Sequence, residues 1–119
     1  MRDDRARLED IAEALSGIDA ALAELDEEGF AESWVVQRAV ERGLEIISEA
    51  SRSVSAAHKS AFPAVPWSQI AGIGNILRHE YHRVEPAIIW NITKAHLPAL
   101  AEAVRSLLTR GEPEQGAGP

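Results

Sequence analysis

The chain contains no cysteine. That removes disulfides, thiolate metal sites and cysteine nucleophiles in one step. It also lacks any apolar run near the roughly 20 residues a membrane-spanning helix requires. The opening MRDDRARLED is charged throughout and has no apolar signal core, so a cytoplasmic protein with no membrane association is expected. Basic residues are in deficit, 12 against 19 acids for a net charge of −7. That balance argues at first against nucleic acid, whose partners usually carry a basic footprint.

The distribution of charge reverses that argument. Residues 1–32 hold eleven acids and three bases, leaving nine bases and eight acids for the rest. The acidity belongs to one segment, and the remainder is free to host a local basic site. Strict two-residue alternation is missing, as are internal repeats and clusters of β-branched residues, so strands are not predicted.

Helical periodicity is abundant. Leu8, Ile11, Leu15, Ile18, Leu22 and Leu25 recur at three- and four-residue spacings, which predicts an amphipathic helix over 4–26 with Asp3 or Asp4 as its cap. Val36, Val40, Leu44, Ile47, Ala50 and Val54 predict a second helix over 32–58. Pro63 and Pro66 break the pattern. Trp67 then opens a third helix with Ile70, Ile73 and Leu77 on its apolar side. Arg83–Pro86 is another break, and Pro86 suits the first turn of a fourth helix running to 109 through Ile89, Ile92, His96, Leu100, Val104 and Leu107. Pro98 would remove one hydrogen bond from it and bend it. The expected fold is all-α, an up-and-down bundle of four to five helices. One domain over 1–110 is followed by GEPEQGAGP at 111–119, whose glycine and proline predict disorder. A small bundle with a long second helix and surplus alanine points to a homodimer.

The chemistry concentrates in GIGNILRHEYHRV, residues 72–84. His79-Glu80-Tyr81-His82 falls one residue short of the zinc-protease pattern His-Glu-x-x-His, with its histidines three rather than four residues apart. No third ligand stands at a usual spacing, and neither a metal nor a cofactor is expected. Gly72-Ile73-Gly74 lacks the lysine and strand of a phosphate loop, and no nucleophile elbow occurs. What remains is a strip of donors, cations and imidazole: Asn75, Arg78, His79, Tyr81, His82 and Arg83. Histidine titrates nearest neutrality and can move a proton. RNA cleavage needs that, with donors around the phosphate as charge builds there. On spacing alone, a polar helix end that caps and solubilises a bundle is the more ordinary reading of the same strip.

The second and third helices resemble the HepT-type toxins, a branch of the HEPN superfamily of all-helical ribonucleases. The signature of that family is arginine, four residues, histidine, any residue and tyrosine, usually with asparagine directly after the arginine. Asn75, His79 and Tyr81 match it, as do the flanking Gln37–Ile47 segment, Trp67 and the stretch from Val84 to Trp90. The resemblance spans residues 5–108.

Gly74 departs from the pattern, because it stands where the family has its catalytic arginine. Glycine inside a helix costs roughly 0.5–1 kcal/mol relative to alanine. A lost arginine accounts for it, either in a natural degenerate copy or in a deliberately disabled toxin; close helix packing is the competing account. Arg78 lies only about 40° around the helix from 74 and could reach the same pocket, while His79 lies about 140° away. That spread suits a cleft or a dimer seam.

The resemblance implies a metal-independent endoribonuclease toxin of a toxin–antitoxin pair, with His79 in acid–base catalysis and Asn75 orienting phosphate. Arg78 and Arg83 are candidate RNA contacts, and Gly74 implies weak or absent activity. It further implies a minimal nucleotidyltransferase as antitoxin, with Tyr81 as the acceptor of AMP groups. The acidic first helix is a candidate surface for that partner. The competing reading is a non-catalytic helical module that pairs with a nucleotidyltransferase.

Overall fold

The computed structural model describes the backbone of residues 2–79 and 85–117, and the side chains of 4–79 and 85–110. It is all-α, with seven helices and no strand among the described residues. These are α1 (Arg2–Leu22), α2 (Glu27–Ala31), α3 (Trp34–Arg52), α4 (Ala56–Ala61), α5 (Trp67–His79), α6 (Pro86–Ala95) and α7 (Leu97–Ala117). The predicted count of four to five is exceeded because two predicted helices, 32–58 and 86–109, are each interrupted once and a short helix, α2, forms between the first two.

Each boundary has an identifiable cause. The first helix stops at Leu22 because Asp26 starts another, its carboxylate accepting the Gly29 N–H at 2.8 Å. The second starts at Trp34, where the Ser33 hydroxyl accepts from Val36 N–H, and it ends at Arg52 rather than 58. Asp4 is responsible. Its buried carboxylate accepts the Ser55 N–H at 3.1 and 3.2 Å and lies 2.7 Å from His58 Nδ1. Asp4 thus caps the start of α4 in space, together with the hydroxyl of Ser55, a correction to its predicted role at the start of α1. The fourth predicted helix divides at His96, since Pro98 has no N–H to return to Lys94. The break shifts the apolar stripe, so Leu97 is buried and His96 only half-buried.

The core follows the predicted stripes closely. Leu8, Ile11, Leu15 and Ile18 of α1 meet Val40, Leu44 and Ile47 of α3, with Ile70, Ile73 and Leu77 of α5 on the other side. Helix α3 is the spine, touching α1, α2, α5 and α6, while α7 closes against α1 and α6. Gly43 lets α1 and α3 approach, since a Cβ there would stand 2.8 Å from Ile18 Cγ1. Phe30 of α2 is fully buried and lies 5.7 Å from the Trp90 ring of α6. The backbone of α7 is helical to Ala117. No helix among the described residues is long and apolar enough to cross a membrane.

Candidate active site

Helix α5 lies on α3 with its apolar face down, which turns Asn75, Arg78 and His79 outward. The two helices are fastened by polar bonds as well as by packing. The hydroxyl of Ser48, on α3, donates to Ala71 O at 2.8 Å and accepts the Gly74 N–H at 3.0 Å. Arg52, one turn further along α3, donates to the same Ala71 carbonyl at 2.9 Å. Ser48 is fully buried, and both of its hydrogen-bonding capacities are used across the helix pair.

Gly74 sits at the centre of this contact, buried. A Cβ built on it would stand 3.1 Å from Ser48 Oγ and 3.2 Å from Arg78 Nη1. Close helix packing is therefore a real function of this glycine. The second distance adds something else. The Arg78 guanidinium bends back one turn and covers the spot from which a side chain at 74 would emerge. Its Nη2 donates to Asn75 Oδ1 at 3.0 Å, which holds it there. The 40° offset predicted between 74 and 78 is thus realised as contact.

His79 is the last residue of α5 and is exposed. With Arg78 it places cationic capacity in the final turn, where the helix dipole favours it. The structure accordingly unites Gly74, Asn75 and Arg78 in one contact set and puts His79 at the open end of the same helix. Tyr81, His82 and Arg83 lie outside the described residues. Among the described residues no three His, Asp or Glu side chains group as metal ligands.

Sequence reasoning passed over Ser48 and Arg52. The signal was available: a serine on the buried face of a long helix must bond to something. Which helix would supply the partner is not written in the local pattern.

An all-α domain with a polar, arginine- and histidine-bearing strip at one helix end fits an RNA-processing protein. Residues 11–107 match the family described as "Ribonuclease HepT-like". The chain is similar to "Putative RNase MJ1380" of Methanocaldococcus jannaschii, 35% identical over 103 residues, covering 87% of this chain and 94% of that protein. It is also similar to "Probable ribonuclease HepT" of Thermococcus cleftensis, 36% identical over 99 residues, covering 83% and 90%. No solved structure matches it significantly. The chain belongs to the HepT-like ribonuclease family, and RNA is the substrate class that membership implies.

Proposed function

We propose that this chain is the toxin of a toxin–antitoxin pair, a cytoplasmic homodimer that cleaves RNA without metal and is attenuated by glycine at position 74. The observation that carries the reading is the exposed imidazole of His79, at the end of the helix whose preceding residue, Arg78, is held by Asn75 over Gly74. His79 takes the proton of the ribose 2′-hydroxyl as that oxygen attacks phosphorus, and the P–O5′ bond breaks. The departing O5′ takes up a proton, which leaves a cyclic phosphate and a 5′-hydroxyl. Arg78, Asn75 and Arg83 serve as donors to the phosphate oxygens. Without a guanidinium rooted at 74, the charge that builds on them is less well met.

Long incubations of RNA with the protein in a metal chelator test this. His79→Ala is expected to slow cleavage by about 10²-fold or more. Equal rates would reject the catalytic role and favour the non-catalytic partner of a nucleotidyltransferase.

A small nucleotidyltransferase is the proposed antitoxin, transferring AMP to Tyr81. A bulky anion two residues from His79 would block RNA and repel it. Co-expression followed by intact-mass measurement should show additions of whole AMP groups that disappear in Tyr81→Phe. An unchanged mass, or one that survives this substitution, rejects Tyr81 as acceptor.

A further inference from the structure

The arginines of this chain divide into two sets. Arg5, Arg7, Arg38, Arg42 and Arg105 each lie against a carboxylate on their own helix, at 2.7–3.5 Å. Arg52, Arg78 and Arg110 do not, among the described residues; Arg110 lies 5.6 Å from the centroid of the Phe62 ring, while Arg52 and Arg78 are exposed and each bonded to an uncharged oxygen. Those two oxygens belong to α5. Arg52 grips the Ala71 carbonyl from α3, and Arg78 grips the Asn75 amide from within α5. Ala71 and Asn75 are one turn apart on one helical face, roughly 6 Å along the axis. These two uncompensated guanidinia therefore bracket Asn75 from two different helices.

We propose that Arg52 and Arg78 form a two-guanidinium cradle for an RNA phosphodiester astride Asn75, so that the substrate site extends from α5 onto α3. The proposal rests on the RNA reading above and adds to it Arg52, which stands outside the signature. A guanidinium has five N–H donors in a planar fork matched to phosphate. One hydrogen bond to Ala71 O, or to Asn75 Oδ1, leaves most of that fork available. The same bond orders the side chain beforehand and reduces what binding must freeze. The net charge of −7 repels RNA at a distance, so attraction must come from a local site within about one Debye length, ~10 Å at 0.1 M salt. Arginines already neutralised by a neighbouring acid add little to such a field, and of the described ones without such an acid, Arg52 and Arg78 are the pair bonded to α5.

Counterion release provides a readout independent of cleavage. Each phosphate contact to a single strand adds about 0.7 to the slope of log affinity against log salt concentration. Binding of a fluorescent single-stranded RNA is measured across a salt series in chelator, with the full chain. Arg52→Gln is expected to reduce the slope by about 0.7 and to weaken binding about five-fold at 0.1 M salt. Arg78→Gln should do the same, and the double change should remove about 1.4. Arg42→Gln, an equal change of net charge on α3 at an arginine bonded to Glu45, should leave the slope unaltered. Arg52→Lys should keep it, which distinguishes a phosphate contact from a purely structural bond to Ala71. A wild-type slope in Arg52→Gln, or a reduced one in Arg52→Lys with an unchanged melting temperature, overturns the cradle while RNA binding itself stands. Wild-type protein with no salt-dependent RNA binding overturns both the cradle and the ribonuclease reading.

Discussion

Gly74→Arg is expected to raise the rate of RNA cleavage by about 10²–10³-fold, the usual worth of one preorganised donor to a charged transition state. The local geometry permits the change at a modest cost. The new Cβ meets the Arg78 guanidinium at 3.2 Å, and that is the far end of a flexible side chain, which can swing away. It meets Ser48 Oγ at 3.1 Å, which requires α3 and α5 to yield by a few tenths of an ångström. Removing a helical glycine returns about 0.5–1 kcal/mol in helix propensity, so the melting temperature should move little. Induced expression should then slow growth and fragment RNA. The double change Gly74→Arg/His79→Ala should abolish both effects, because a phosphate-binding cation is useless without proton transfer. If the restored arginine gives neither cleavage nor toxicity, the nuclease reading is lost and the binding module becomes the better account.

The second large effect concerns stability. Asp4→Ala removes a carboxylate that accepts the Ser55 N–H and pairs with His58. Hydrogen bonds to a charged group are worth about 1.5–3 kcal/mol. For a domain of this size that corresponds to a fall in melting temperature of about 5–10 °C. The pH dependence follows from the same contacts. Burial acts to raise the pKa of Asp4, but the hydrogen bonds from Ser55 and His58, with the charge of His58, outweigh it and hold the carboxyl below its ordinary 3.8. A carboxyl depressed on folding adds stability that is fully present above 3.8 and fades as pH falls through the lower folded value. Asp4→Asn should therefore flatten the acid limb of a melting-temperature profile and leave the His79-dependent cleavage untouched. An acid limb identical to that of the wild type would show that Asp4 is not the group responsible.

Much of the fold was legible because apolar periodicity is a local property. Leu8 to Ile18, Val40 to Ile47 and Ile70 to Leu77 were assigned to buried faces from spacing alone, and they are buried. The interruptions were less legible. Asp26 and Ser33 are good capping residues, but Asp26 stands at the expected end of the first helix and Ser33 just inside the expected start of the second, so each boundary moves by a few residues. Pro98 was read as a bend and is a break, since the missing N–H coincides with the register shift from His96 to Leu97. The end of α3 could not be read at all from residues 50–58, because the group that captures Ser55 N–H is 51 positions away in the chain.

Composition and periodicity by themselves determined an all-α domain, its principal apolar faces and the polar strip from Asn75 to Arg83, because each depends on residues within a few turns of one another. Tertiary structure alone decided that Ser48 would bond to Gly74 and that Arg52 would reach Ala71 from another helix. The reason is geometric. Directed hydrogen bonds between helices depend on the crossing of α3 and α5, and that crossing is set by packing the whole core rather than by any single stretch of chain.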